Sequence, residues 1–336
     1  MKMKLLNNVF LALIVIASVV LAGCGNQDVL TSSKTYVGGT DGLVMEFQEG
    51  QPPQEIYDSD SMPFSVGVIL KNMGEHAIFD ETYGTNDDFE DFGRITLRGI
   101  NPEHFGLEAN ELIFDFENEG VSLMPYKLID GTTLEGGMAT PLFGPLQYKY
   151  ELQGTNDLKF GIDLCYNYKT KSTTTICVIS DFTSRNYKVC NPYEAKSTSN
   201  SGGPIHITSV KQAPGGNKVT IMIEIEKVNS DGNVFKAVES SSATNGLVCE
   251  DNPANQDKNK VKMKVYLPEE EKVITCSEFS DDNEGIIMLH DGQPKIIVCS
   301  MAVDEDEPDY ETQLFIDLEY SFGQYMDKTI QLKSYN

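Results

Sequence analysis

A chain of 336 residues with 40% hydrophobic side chains can bury cores for two ordinary domains and is not a disordered polypeptide. Its formal charge of −25, from 51 acidic and 26 basic side chains, repels nucleic acid and anionic lipid headgroups. It has no tryptophan, so any sugar-binding surface would have to rely on tyrosine or phenylalanine rather than indole.

At the N-terminus, Lys2 and Lys4 precede the apolar run Val9–Ala22, VFLALIVIASVVLA. Its length suits a signal peptide and falls short of the roughly 20 residues of a membrane span. The run ends in Leu21-Ala22-Gly23-Cys24, which resembles the lipobox of prokaryotic lipoproteins. That resemblance implies cleavage before Cys24, lipidation of its sulfur and export of the remainder. Residues 1–23 are then the signal peptide and 24–35 a tether. The alternative, an uncleaved anchor helix, exports the bulk of the chain equally. A tether of about ten residues, at about 3.5 Å each, keeps the first domain within about 40 Å of the bilayer. Cleavage leaves 24 basic against 51 acidic side chains, about −27, so lipid rather than charge must hold the protein to the membrane.

Beyond the tether the apolar period is two rather than 3.6. Phe64-Ser-Val-Gly-Val-Ile-Leu70 runs into the polar turn KNMGEH, and Ile95-Thr-Leu-Arg-Gly-Ile100 follows. Asn101-Pro102-Glu103 then carries the signature of one short helix, with asparagine as N-cap and proline at the first position. In the next run Phe160, Ile162, Leu164, Tyr166 and Tyr168 are apolar, while the odd positions include Asp163, Asn167 and Lys169. Glu194–Pro204, EAKSTSNSGGP, reads as a flexible linker. Past it, Val219, Ile221, Ile223 and Ile225 alternate with Thr220, Met222, Glu224 and Glu226, and Val261, Met263 and Val265 alternate with Lys262 and Lys264. Half-buried antiparallel strands have this pattern.

The second half repeats the first. Phe160–Val178 lies without a gap on Leu314–Leu332, matching Ile162, Asp163, Leu164, Tyr166, Thr175 and Ile176 to Ile316, Asp317, Leu318, Tyr320, Thr329 and Ile330. Phe64–Leu70 lies likewise on Val219–Ile225, and Ile95–Glu103 on Val261–Glu269. The second copy carries about eleven extra residues around 236–258. The expected fold is all-β: two tandem β-sandwiches over 36–193 and 204–336, joined by a linker at 194–203. Tandem strands running into N-x-G-like turns resemble the immunoglobulin-like (CARDB-type) adhesion domains of bacterial and archaeal surface proteins. The chain is also similar to envelope lipoproteins of small-genome archaea. This resemblance, over residues 36–336, implies immunoglobulin-like architecture and surface display, with no catalytic residues to carry over. The antibody arrangement of two cysteines around a tryptophan is missing.

Export makes the six cysteines after Cys24 disulfide candidates. Cys165 and Cys177 correspond to Glu319 and Gln331, so both are lost together from the second copy, as a bonded pair would be. A hairpin centred on Lys171 would set them opposite each other, about 4.5–5.5 Å apart. A metal would need further ligands, and no histidine lies nearby in sequence. Cys276 and Cys299 flank Asn283-Glu284-Gly285 and are expected to pair. Cys190 and Cys249 then pair by elimination, tying the first domain to the second, with an exchange of Cys249 for Cys276 left open.

Motifs of nucleophilic, phosphate and metal chemistry (G-x-S-x-G, a P-loop, H-E-x-x-H, C-x-x-C) are absent. His76, His104, His206 and His290 are scattered, and His290-Asp291 in LHDG reads as a turn, not a dyad. Acidic clusters at Asp80, Glu81, Asp87, Asp88, Glu90 and Asp91 and at Asp304–Glu311 offer oxygen ligands for calcium, but solvated loops are the plainer reading. Asp115–Gly120 begins like a calcium loop and then has Tyr126 where the bidentate glutamate belongs. Tyr148 and Tyr150, two apart, could stack on a sugar, though core packing is the simpler role. The expectation is therefore a non-catalytic protein without cofactor or dedicated metal site, lipid-anchored at the outer face of the cytoplasmic or another envelope membrane. It would bind an envelope or extracellular protein or glycan, in adhesion or as a scaffold, and not nucleic acid. A calcium-stabilised surface-layer component and an exported hydrolase built around His290 are the alternatives.

Overall fold

Residues 169–175, KTKSTTT, carry no Gly, Pro, Asn or Asp to turn the chain, and their β-branched threonines favour extended backbone. The chain accordingly runs straight through them. Thr155–Val178 is one strand of 24 residues, and Tyr310–Lys333 is another. The hairpin expected over 160–178 does not form. The two long strands pair antiparallel with each other instead, from Thr155↔Lys333 to Val178↔Tyr310.

These features belong to a computed structural model describing residues 35–335, apart from 59–61, 80–88, 130, 181–187, 240–248, 253, 269–271, 281 and 291. Cys24, the signal peptide, nearly all of the tether, Asp80, Glu81, Asp87, Asp88 and Asp291 lie outside the described residues. The first half contains β1 (Leu43–Phe47), β2 (Glu55–Tyr57), β3 (Phe64–Asn72), β4 (Gly93–Arg98) and β5 (Ile113–Asp115). It continues with β6 (Lys127–Ile129), β7 (Thr132–Leu134), β8 (Met138–Ala139), β9 (Leu142–Leu146) and the long β10 (Thr155–Val178). The second half holds β11 (Thr198–Asn200), β12 (Ile205–Pro214), β13 (Lys218–Lys227), β14 (Gly232–Phe235) and β15 (Lys260–Tyr266). It ends with β16 (Ile274–Cys276), β17 (Glu284–Met288), β18 (Lys295–Ala302) and the long β19 (Tyr310–Lys333). No α-helix occurs among the described residues. The expected short helix is a 3-10 turn, Pro102–Phe105, whose N-cap Asn101 side chain accepts the Glu103 N–H at 3.2 Å.

The fold is nearly all β, in sandwich-like layers. A central sheet runs β17-β15-β19-β10-β4-β5, with β2, β11 and β14 also pairing to the long strands. Smaller sheets, β1-β3-β8 with β9 and β12-β13-β18-β16, supply the second layers. At the centre of this order the long copies β19 and β10 are flanked by the copies β15 and β4. Asn167 faces Ser321 in the ladder, and the two are 154 residues apart, the offset of the repeat. A local two-fold therefore passes between them.

The even row of β10 is the core, as its alternation predicts. Phe160, Ile162, Tyr166 and Tyr168 are fully buried, together with Leu318, Tyr320 and Phe322 of β19. The phenols in this row are satisfied: Tyr166 Oη accepts the Leu43 N–H at 2.9 Å, and Tyr168 Oη donates to the Gly202 carbonyl at 2.9 Å. Tyr320 Oη and Thr170 Oγ1 lie 2.7 Å apart. One hydrophobic cluster spans both halves, and Tyr36–Asn336 is one compact unit.

The linker expected at 194–203 is a correction. Thr198–Asn200 pair with Ser172–Thr174, and Ser201, Gly202 and Gly203 are buried. Its glycines serve close packing rather than flexibility: a Cβ on Gly203 would meet the Tyr168 ring at 2.8 Å and Thr170 Oγ1 at 2.6 Å. The halves expected as separate domains thus share one sheet and one core.

The disulfides follow from the straight strands. Cys165 and Cys177 lie twelve residues apart on β10, about 40 Å at a strand's rise per residue, and cannot bond. Cys165 is joined to Cys249 and Cys177 to Cys190, each with Cα atoms 5.8 Å apart. These bonds replace the expected Cys165–Cys177 and Cys190–Cys249 pairs. Cys276 is joined to Cys299, the pair read from the sequence.

At the two-fold, the buried Asn167 side chain holds the outer loops to the sheet. Its Nδ2 donates to the Glu90 and Val238 carbonyls at 2.7 and 2.8 Å, and its Oδ1 accepts from Val238 N and Ser321 Oγ at 3.0 and 2.6 Å. Asn167→Ala leaves these groups without their partner and should cost about 2–3 kcal/mol. Urea unfolding with an unchanged slope measures it; a loss near zero would mean that the loops are held by other contacts.

Candidate functional site

Side chains on a strand alternate, so Arg94, Thr96 and Arg98 stand on the face of β4 opposite the buried Ile95 and Leu97. Ladder pairing turns this face into a grid. Arg94 opposes Cys165, Thr96 opposes Asp163, and Arg98 opposes Gly161. On the next strand Cys165 opposes Gly323, Asp163 opposes Tyr325, and Gly161 opposes Asp327. Over the grid lies a groove of about 670 Å³, also lined by Ser230–Asn233 and Cys249–Asn252.

Two glycines make the room. A Cβ on Gly323 would sit 2.8 Å from the Cβ of Cys249, so only glycine lets the Cys165–Cys249 bond cross the floor. A Cβ on Gly161 would meet the Tyr325 ring at 2.9 Å, and with hydrogen there the ring lies down on the strand. Tyr325 is still 55% exposed. Glycine inside a strand marks such close approaches.

The charges are paired in place. Arg98 bridges Asp163 and, at 3.7 Å, Glu250. Arg94 bonds Asp115 at 3.2 Å and lies 5.4 Å from the centre of the Phe92 ring. Asn233 Nδ2 donates to Asp251 at 3.3 Å, and Lys227 Nζ donates to the Gly232 carbonyl at 3.0 Å. Burial pushes the Asp163 carboxyl above its ordinary value; Arg98 opposes the rise and Glu250 adds to it.

The symmetry-related place on the second half is closed. There Lys262 opposes Glu319, which opposes Lys169, and Lys264 opposes Asp317, which opposes Lys171. The buried Lys169 bonds Glu319 at 3.0 Å and Asp317 at 3.4 Å, and Lys262 reaches Glu319 at 3.4 Å and Glu284 at 2.8 Å. Tyr266 stacks on Phe315, with ring centres 5.4 Å apart. Tyr36 covers the same place: burial first, then Asp317, Tyr266 and Glu75, push its hydroxyl up to about 12. At an offset of 154, Phe315 stands where the groove has Gly161, and Lys169 where it has Gly323.

The sequence-level candidates are not gathered at this groove, Cys165 and Cys249 excepted. His76 packs its ring on Tyr168 and Phe89, His104 on Tyr150, and His206 meets the Gly39 carbonyl at 3.1 Å. His290 pairs with Gln293 across a turn. Asp304 and Glu307 hold Lys272 at 3.7 and 2.8 Å, and Asp91 caps the Phe79 N–H at 3.2 Å. Tyr148 packs on Phe105, whereas Tyr150 remains 52% exposed. Sequence reasoning missed Arg94, Thr96, Arg98, Asp163 and Tyr325. The available signals were the R-x-T-x-R alternation and two glycines inside strand patterns.

No family model matches the chain, and no curated protein is similar to it in sequence. Among solved structures, the C-terminal domain of the Streptococcus pyogenes antigen I/II-family protein AspA aligns with 88% of this chain and 100% of its own. The identity is 7% and the TM-score 0.17, a likeness too slight to carry an argument.

The pairing at Asp163 has a titration signature. Its raised pKa means that protonation favours the folded state, so its stabilising contribution is complete below the ordinary value of 3.8 and is lost as pH rises through the folded value. Carboxyl NMR should place the Asp163 midpoint above 3.8, and Arg98→Gln should move it further up by removing the opposing charge. A midpoint at or below 3.8 would show that burial does not outweigh the Arg98 charge at this carboxyl.

Proposed function

We propose that this protein is an exported, lipid-anchored binding protein of the cell envelope, non-catalytic, acting in adhesion or as a scaffold through the groove on its central sheet. One observation carries the reading. Equivalent places on a duplicated fold have diverged, one packed with ion pairs and aromatic rings, the other a groove whose glycines admit the Cys165–Cys249 bond and the Tyr325 ring. The open copy has its polar side chains already fixed by one another, so a ligand meets a preorganised surface. Three disulfides fit an oxidising compartment, and the lipobox-like Leu21–Cys24 supplies the anchor. On this view each half descends from an immunoglobulin-like sandwich of the CARDB type, fused to its copy through the long strands.

Anchor and groove are tested separately. Cys24→Ala should shift the chain from the membrane fraction to the soluble exported fraction; membrane retention would remove the lipid anchor. Gly161→Phe places under the Tyr325 ring, which a Cβ there would already meet at 2.9 Å, the residue found at the equivalent position of the closed copy, and so displaces that ring from the groove. It should abolish adherence of chain-coated beads to envelopes of the producing cells, in a chain that still unfolds in one cooperative transition. Adherence undiminished by this substitution would put the binding surface elsewhere.

A further inference from the structure

We infer that the groove takes a saccharide, seated with one sugar-ring face on Tyr325 and its hydroxyls on the polar grid beside that ring. The inference rests on the binding function proposed above and names its ligand class.

Tyr325 is placed as a platform. Gly161 beneath it offers no side chain, so the ring lies against the strand with one side while more than half of the residue stays in solvent. A large aromatic held this way gives wide contact at little entropic cost. A pyranose presents an apolar face of C–H groups ringed by hydroxyls, which needs such a platform with planar polar groups at its edge. Here the neighbouring ladder position is Asp163, then Thr96, with the Arg98 guanidinium and the Glu250 carboxylate around them. Carboxylate and guanidinium are fixed by their mutual bonds. An ionised carboxylate has about four acceptor sites, so engaging Arg98 leaves capacity for sugar O–H donors. Asn252 adds an amide on the loop tied down by Cys249.

Other ligand classes fit less well. Arg94, Arg98 and Lys227 are outnumbered by Asp163, Asp231, Glu250 and Asp251, which disfavours a phosphate or another anion. The near balance of charge gives a cationic peptide little attraction, and a floor of Arg, Thr and Asp does not suit an apolar chain. The volume of about 670 Å³ falls in the range of small-ligand pockets and accommodates a short oligosaccharide segment.

The test measures binding of the purified full chain to immobilised envelopes of the producing cells after periodate, which cleaves vicinal diols, or after protease. Tyr325→Ala is compared with Tyr150→Ala, an exposed tyrosine outside the groove. Periodate and Tyr325→Ala should each weaken binding at least about tenfold, roughly 1.4 kcal/mol, while protease and Tyr150→Ala leave it within about twofold. Loss on protease with survival of periodate would overturn the saccharide and leave the binding function standing. No binding to any envelope would overturn both. Loss with Tyr150→Ala, or none with Tyr325→Ala, would overturn the groove as the sugar site.

Discussion

The antiparallel pairing of Thr155–Val178 with Tyr310–Lys333 is the constraint from which the remaining architecture follows. Twenty-four residues is far longer than a typical strand of five or six. A pair of that length cannot belong to one half of the molecule. Because each strand is the last element of its repeat, joining them along their whole length puts both repeats in one sheet and merges their cores. The outer strands are then added symmetrically, β4 and β5 on one flank and β15 and β17 on the other. Three tyrosines in the shared core have their hydroxyls satisfied by backbone and threonine partners, which makes their burial affordable in a chain without tryptophan.

Much of this was legible, and what was not has identifiable causes. Period-two alternation marked the buried row Phe160–Tyr168 and the core faces of β13 and β15, because half-buried strands leave that trace whatever they pair with. The N-cap at Asn101 was legible for the same local reason. Partner choice is not local. A hairpin arm and a straight strand have the same alternation, and only the lack of turn residues in KTKSTTT separated them. Missing that turned Cys165 and Cys177 into a false pair. The loss of both from the second copy was a true observation, but two independent bonds lost in one copy leave the same record as one bond lost. EAKSTSNSGGP misled because glycine marks both flexible linkers and close approaches, and composition alone does not tell them apart.

The groove was illegible because no element carries it alone. Its floor needs β4, β10 and β19, the last of which lies about 150 residues along the chain from β10. Its charged members are unremarkable singly: an arginine on a strand is usually solvated, and Asp163 has an aspartate counterpart, Asp317, in the other repeat. The difference lies in what surrounds those two aspartates. Asp317 has buried Lys169 at 3.4 Å, whereas Asp163 has Thr96 and Tyr325 at its ladder positions, with Arg98 reaching across.

The shared sheet also explains where the groove's outer wall comes from. Residues 236–258 are the stretch in which the second repeat exceeds the first, and Cys249–Asn252 falls within it. In two separate domains that loop could shape only its own domain. With β19 lying beside β10, Cys249 reaches the first repeat, and the Cys165–Cys249 bond fixes it there across 84 residues of sequence. The bond therefore acts on the denatured chain as a long-loop constraint, of about 2–4 kcal/mol, and on the native fold as the tie that keeps one wall in place. Gly323 is the residue that permits the crossing, since any side chain there would strike Cys249. Cysteine at 165 and glycine at 323 thus make sense only together, and the second copy, with Glu319 and Lys169 in their places, has formed an ion pair instead.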